Sequence, residues 1–296
     1  MNKFIFIVST LGVFLLISYG FSFLVGSETG NNIAFIPIKG AITTTGDGVP
    51  FQEGGASSTT IVEQLQDAYE DETVKAVILE IDSPGGTVLA SKEIADKVKE
   101  AGKPVVALIR SSGASGAYWI ASAANYIVAD EMSIIGSIGV TSSYLEFSGL
   151  LKEYDVNYQR LVTGEFKDIG TPYKELTDKE EELFMGKLNQ IHNFFVEQVA
   201  ENRNLSSAKV GKLATGEIFL GQEAIKLDLI DELGGESEAI NVSKKLANIS
   251  EAEIIEYYET ENFFNYFFDS KIAYQVGQGI GSVFINSNLK QAEIRA

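Results

Sequence analysis

Apolar residues fall into three patterns along this chain. The first is an unbroken run: Phe4 to Val25 carries no charged residue. At about 1.5 Å per residue in a helix these residues would cover about 33 Å, enough for the hydrocarbon core of a bilayer. The second pattern is a set of short apolar runs that read as buried strands. They lie at Ile33–Ile38, Val74–Ile81, Pro104–Arg110, Tyr126–Ala129, Tyr158–Val162 and Glu253–Tyr258. The third has helical spacing. Ile61, Leu65 and Ala68 share a face within Thr60–Tyr69, Val88–Ala101 forms a second helix before Gly102, and Glu236–Ala247 is the last. The longest helix is predicted over Asp178–Asn202, with Leu183, Phe184, Leu188, Ile191, Phe195 and Val199 along one face. Thr177 is its N-cap and Glu180, three residues on, completes a capping box.

Strands and helices alternate through the middle of the chain, which argues an α/β architecture with mostly parallel strands. Thr43–Thr60, rich in Gly, Thr and Ser, is predicted as a surface loop, and Ile134–Val140 as a glycine-interrupted turn. Gly221–Gly235 reads as a short helix, a turn and a cap. The pattern divides the chain into an anchor and linker over 1–30, a folded domain over 31–250, and an aromatic tail over 251–296. The tail resembles neither a membrane span nor a core helix. Lys3 precedes the apolar run, and the next basic residue after it is Lys39. The positive-inside rule therefore puts the N-terminus in the cytoplasm and the folded domain across the cell membrane, as a single-pass protein. A cleaved signal peptide is the rival, but its apolar region would be shorter and Val25-Gly26-Ser27 is a mediocre cleavage site.

Composition narrows the chemistry. The net charge is −18, from 41 acidic and 23 basic residues, which argues against a nucleic-acid partner. There is no cysteine, which excludes thiol nucleophiles, disulfides and cysteine-ligated metals. The one histidine, His192, would have to serve any Ser-His-Asp triad, and it lacks the second imidazole of a typical zinc site. Its place in the middle of the long helix reads as structural. No cofactor or metal is expected.

The most informative stretch is Ser111 to Ala124, SSGASGAYWIASAA, directly after the strand at Val105–Ile109. Small residues at a strand-to-helix junction allow a tight turn and close backbone approach. Such a turn would put Ser115 at a helix N-terminus, where free amides favour an alkoxide or oxyanion. Ser115 is the candidate nucleophile; the plainer alternative is a capping serine. With no thiol and one histidine, its base must come from elsewhere, and a desolvated lysine can serve. Lys167 is the candidate, just past Tyr158–Val162 and following Gly164; a solvated loop lysine is its alternative. Gly85 and Gly86 follow a strand and precede a helix, so their amides could meet an oxyanion. Ser137 lies in a glycine-flanked turn and could orient the lysine.

Taken together, and in this order, these motifs strongly resemble the signal peptide peptidase A family, the serine–lysine peptidases of the crotonase and Clp-like superfamily. The resemblance rests on Asp82-Ser83-Pro84-Gly85-Gly86, on Ala114 to Trp119, and on Gly136 to Val140. It continues through Gly164, Lys167, Asp168, Ile169 and Pro172, and through Gly221, Ala224, Asp231, Gly234 and Gly235. It covers Ile33 to Ala247. Ala117 stands where a glycine is usual, and Leu227-Asp228-Leu229 lacks a usual glycine. The resemblance implies a spiral of ββα units and a homo-oligomeric ring in which the Ser and Lys of one site come from neighbouring protomers. It implies Ser115 as nucleophile, Lys167 as general base, Ser137 in support, and an oxyanion hole from the amide of Gly86 with that of Ser115 or Gly116. The implied substrates are remnant signal peptides or other membrane-associated peptides, with small, apolar side chains at the scissile bond. A catalytically silent membrane scaffold of the same fold is the alternative. An acyl-CoA hydratase or isomerase would use paired acidic residues and lack the anchor.

Overall fold

The computed structural model describes residues 30–46 and 54–257. The expected membrane anchor over Phe4–Val25 and the tail from Tyr258 onward lie outside them, and no helix among the described residues is long and apolar enough to cross a membrane. The body is one mixed α/β unit around an eight-stranded sheet. The strands are β1 (Asn32–Lys39), β4 (Val74–Ser83), β5 (Val105–Ala114), β6 (Tyr126–Ala129), β7 (Ile134–Gly136), β8 (Ile218–Leu220), β9 (Glu232–Leu233) and β10 (Glu253–Glu256). Their main order is β10-β1-β4-β5-β6-β9, all parallel, with β7 joined to β5 and pairing antiparallel with β8. A separate parallel pair, β2 (Ala41–Thr43) and β3 (Gly55–Ser57), stands beside the sheet.

The apolar runs at β1, β4 and β5 are continuous because both faces of the sheet are covered. Ala34, Ile36 and Ile38 of β1, Leu79 of β4 and Ala107 of β5 point into the larger core. That core is closed by α1 (Ser58–Glu70), α2 (Val88–Lys99), α3 (Gly116–Ser122) and the C-terminal half of α5 (Asp178–Asn202). On the opposite face Ile33, Phe35, Ile78, Val106, Leu108 and Val128 meet Ala239 and Val242 of α8 (Glu236–Ala247). The remaining helices are α4 (Ser148–Glu153), α6 (Ser207–Leu213) and α7 (Gly221–Ala224).

Helix starts follow the caps. Ser57 accepts from Thr60 N at 3.2 Å, which starts α1 two residues before the expected Thr60. Thr177 and Glu180 form the expected capping box, with Thr177 N donating to Glu180 Oε2 at 3.0 Å. The loop expected over Thr43–Thr60 is in part β3 and the first turn of α1, and the turn expected at Ile134–Val140 begins as β7. The strand expected at Tyr158–Val162 is absent: these residues are irregular and have no ladder partner among the described residues. Their β-branched and aromatic content fits a strand, but they pair with no strand among the described residues, and Leu161 is 94% exposed.

Candidate active site

Strand β5 changes partner along its length. Val106–Ile109 pair with β6, whereas Ser112, Gly113 and Ala114 pair with β7. The chain then turns at Ser115, whose amide donates to Gly136 O of β7 at 2.7 Å. Ser115 has φ 53 and ψ −123, a conformation that costs a non-glycine residue about 1–3 kcal/mol. It caps α3, and Trp119 N donates to its carbonyl at 3.0 Å. Every residue of α3 is buried, and Tyr118 Oη donates to Leu229 O at 2.8 Å. A fixed strand and a fixed helix thus hold the strained serine between them, with its own side chain half-exposed.

The Asp82–Gly86 segment is pinned against this turn from two sides. Ser112 N donates to Asp82 Oδ1 at 3.1 Å. The buried Ser83 hydroxyl donates to Gly40 O at 2.6 Å and accepts from Gly85 N at 3.1 Å. From β2, Ile42 N donates to Gly85 O at 2.9 Å and Ile42 O accepts from Thr87 N at 2.8 Å. Gly85 needs its left-handed φ of +102, and a Cβ on Gly86 would lie 1.9 Å from Ile42 O. Between these bonds the amides of Gly86 and Gly116 donate to no group among the described residues. The two glycines adjoin: a Cβ built on Gly116 would sit 3.3 Å from Gly86 N. Because Gly136 O already takes the Ser115 amide, Gly116 rather than Ser115 supplies the second free donor beside Gly86.

Ser115, Gly86 and Gly116 open on a cavity of about 110 Å³. Trp119, Ile191 and Phe195 form its apolar side, and Gly139, Val140 and Thr141 another wall. The Trp119 ring stacks on Phe195 at 4.9 Å and tilts against Phe194 at 5.7 Å. The sequence placed Ile191 and Phe195 on a helix face and Trp119 in the Ser115 segment, but put none of them at the site. Their signal was helical spacing: Trp119 stands four residues after Ser115, and Phe195 four after Ile191.

Lys167 and Ser137 do not line this cavity. Lys167 lies on an irregular loop, exposed, its amide donating to Gly164 O at 3.2 Å. Ser137 follows the Gly136 carbonyl that holds Ser115, has φ 50, and donates its amide to Glu217 O at 2.8 Å. A single chain therefore brings Ser115, Gly85, Gly86 and Gly116 together, and leaves Lys167 and Ser137 off that wall. His192 lies with Nε2 2.9 Å from Ala214 O, a contact that ties α5 to the end of α6. No cluster of metal-ligating side chains occurs among the described residues.

Residues 97–250, 154 of the 296 in the chain, match the profile of peptidase family S49. A Methanocaldococcus jannaschii protein named as a protease is 39% identical over 240 residues, 80% of this chain and 77% of that one. The chain belongs to peptidase family S49, the family of signal peptide peptidase A. An Enterococcus faecium relative named as a signal peptide peptidase SppA is 32% identical over 249 residues, 83% of this chain and 72% of its own length. Protease 4 of Haemophilus influenzae is 34% identical over 236 residues, 79% of this chain but 38% of that longer protein. The family match takes in Ser115, Ser137 and Lys167, and membership makes this chain a protease.

Proposed function

We propose that the chain is a membrane-anchored serine endopeptidase working through a Ser115–Lys167 dyad on remnant signal peptides or other membrane-associated peptides. The observation that carries the reading is the strained Ser115 turn beside two adjoining unpaired amides, those of Gly86 and Gly116. Donors fixed where charge develops are the larger part of acyl-transfer catalysis.

In this reading the uncharged Lys167 amine takes the Ser115 hydroxyl proton as Oγ bonds to the scissile carbonyl carbon. The carbonyl π electrons move onto oxygen, and the oxyanion accepts from Gly86 N and Gly116 N. The lysine then returns its proton to the leaving amine as the C–N bond breaks, leaving an acyl-enzyme. Water, deprotonated by the same amine, then attacks the ester carbon; the C–Oγ bond breaks, the lysine passes the proton to Ser115 Oγ, and the carboxylic acid product leaves. Ser137 supports the amine. The small cavity favours small, apolar side chains at the scissile residue.

Lys167 is exposed in one chain, and so are Tyr144, Leu145, Leu150, Tyr154 and Leu161 on the segment before it. Uncovered apolar side chains in such number mark an interaction surface. They support a homo-oligomeric ring in which a neighbour's Lys167 completes each site. The uncharged run Phe4–Val25 supports a single-pass anchor in the cell membrane, N-terminus in the cytoplasm and protease domain outside it. The test is peptide cleavage by the assembled protein: Ser115→Ala and Lys167→Ala are each expected to lose at least ~10⁴-fold. Cleavage surviving in either variant, with the assembly intact, ends the dyad reading. A silent scaffold would instead leave wild-type Ser115 unreactive toward a peptidyl phosphonate.

A further inference from the structure

The loop bearing Lys167 has little regular structure to hold it. Residues 163–176 belong to no helix or strand, and Gly164 and Gly170 stand in the left-handed region at φ 89 and 78. Its internal backbone bonds are long turns: Lys167 N to Gly164 O at 3.2 Å, Ile169 N to Phe166 O at 3.2 Å, and Thr171 N to Asp168 O at 3.1 Å. Phe147 N donates to Pro172 O at 2.7 Å at the far end of the loop, and one guanidinium grips the turn around Lys167 itself. Arg160 Nε donates to Asp168 Oδ2 at 2.7 Å, and Nη2 donates to Asp168 Oδ1 at 2.8 Å and to Glu165 O at 2.9 Å. The fork therefore holds the residue after Lys167 and the carbonyl two residues before it. Lys179 of α5 adds a bond to Glu165 Oε1 at 2.8 Å, with its amine 5.1 Å from the centre of the Phe166 ring. The neighbouring charges are the Lys174–Glu180 pair at 2.6 Å, with Tyr158 the nearby phenol.

We propose that Arg160 and Asp168 form a clamp that sets the Lys167 loop for catalysis, making Arg160 a positioning residue for proteolysis. The inference rests on the Ser115–Lys167 reading and adds what the dyad alone does not require. The pair is partly covered, with side chains 40% and 11% exposed, and adds modestly to stability, whereas a displacement of about 1 Å at a reacting group can cost ~10²-fold in rate. The fork also occupies both Asp168 oxygens. Without it, a carboxylate next in sequence to Lys167 would be free to pair with the ammonium and oppose its loss of a proton. Lysine at position 160 would keep the charge but not the planar geometry that spans two oxygens and a carbonyl. Hydrogen bonds from Arg160, then its charge, hold the Asp168 carboxyl below the usual carboxylate range, so the clamp is ionised at neutral pH.

The test compares Arg160→Ala, Arg160→Lys and Asp168→Asn with wild type and Lys167→Ala, as full-length assembled protein. The readouts are kcat and KM on one peptide from about pH 6 to pH 10, the rate of Ser115 labelling by a peptidyl phosphonate, and the melting temperature. We expect Arg160→Ala and Asp168→Asn to lose about 10–10²-fold in kcat, with KM, assembly and melting little changed. Phosphonate labelling should slow in step. Arg160→Ala should also displace its pH profile to higher pH, because its carboxylate is released, whereas Asp168→Asn should not. Arg160→Lys should recover only part of the loss. Wild-type kcat in Arg160→Ala and Asp168→Asn, with Lys167→Ala dead, overturns the clamp alone. Loss of assembly in both clamp variants overturns it in favour of a purely structural pair. Wild-type cleavage by Lys167→Ala overturns the dyad and the clamp with it.

Discussion

At the scale of single residues, Ser115 does two opposed things. Its backbone is strained at φ 53, and its amide, bound to Gly136 O, is what keeps the strain in place. Glycine adopts that conformation without penalty, whereas alanine meets it with a Cβ. Ser115→Gly should therefore be more stable than Ser115→Ala by about 1 kcal/mol, although both lose cleavage. Denaturant unfolding of the two variants decides it, and a less stable glycine variant would show that the turn is not strained. Trp119 is the other residue with a separable role, since its ring stacked on Phe195 limits the depth of the cavity. Trp119→Leu should move the ratio of kcat/KM for phenylalanine over alanine at the scissile residue at least ~10-fold toward phenylalanine. An unchanged ratio would place the scissile side chain elsewhere. The tight turn at Ser115 was legible because small residues at a strand end restrict what the chain can do next. The division of labour among the amides was not, because it depends on a carbonyl in β7, twenty-one residues away in sequence.

At the scale of elements, apolar runs and caps were good guides wherever an element packs on its own chain. Val74–Ile81 lies within β4, and Thr177 with Glu180 starts α5 where the capping box put it. The guides failed between Val140 and Thr177. Tyr158–Val162 has the composition of a strand, but it joins no sheet among the described residues. Helix α5 shows the same split: Phe195 and Val199 are buried, while Leu183, counted on the same face, is exposed. Charge pairs follow burial too. Arg203, its side chain 8% exposed, donates Nη2 to Asp231 Oδ1 at 2.7 Å and Nη1 to Oδ2 at 2.9 Å. The pair ties the end of α5 to the segment before β9, next to the Leu229 carbonyl that holds Tyr118. Arg203→Ala should cost about 1–3 kcal/mol, since it removes a buried bidentate partner and leaves a partly buried carboxylate. Arg110 sits 3.6 Å from Glu80 and 4.0 Å from Glu236, at 44% exposure. Arg110→Ala should cost less than about 1 kcal/mol. Comparable melting losses in the two variants would contradict this ranking by burial.

At the scale of the whole molecule, one chain presents the candidate nucleophile beside two free amides, and holds its candidate base on an exposed loop. If neighbours complete each other's sites, two dead proteins should make a live one. Ser115→Ala protein retains Lys167, and Lys167→Ala protein retains Ser115. Mixed rings contain interfaces where an intact serine faces an intact lysine. With random mixing in equal amounts, half the subunits offer the serine and half of their neighbours the lysine, so about a quarter of wild-type activity should return. The mixture must be unfolded and refolded together, or exchanged long enough for subunits to redistribute. A site built within one chain predicts no recovery under the same treatment. Size-exclusion chromatography on the same samples separates the two explanations for a null result. Rings that contain both variants and stay inactive would place both residues in one subunit, whereas segregated rings show only that exchange has not occurred.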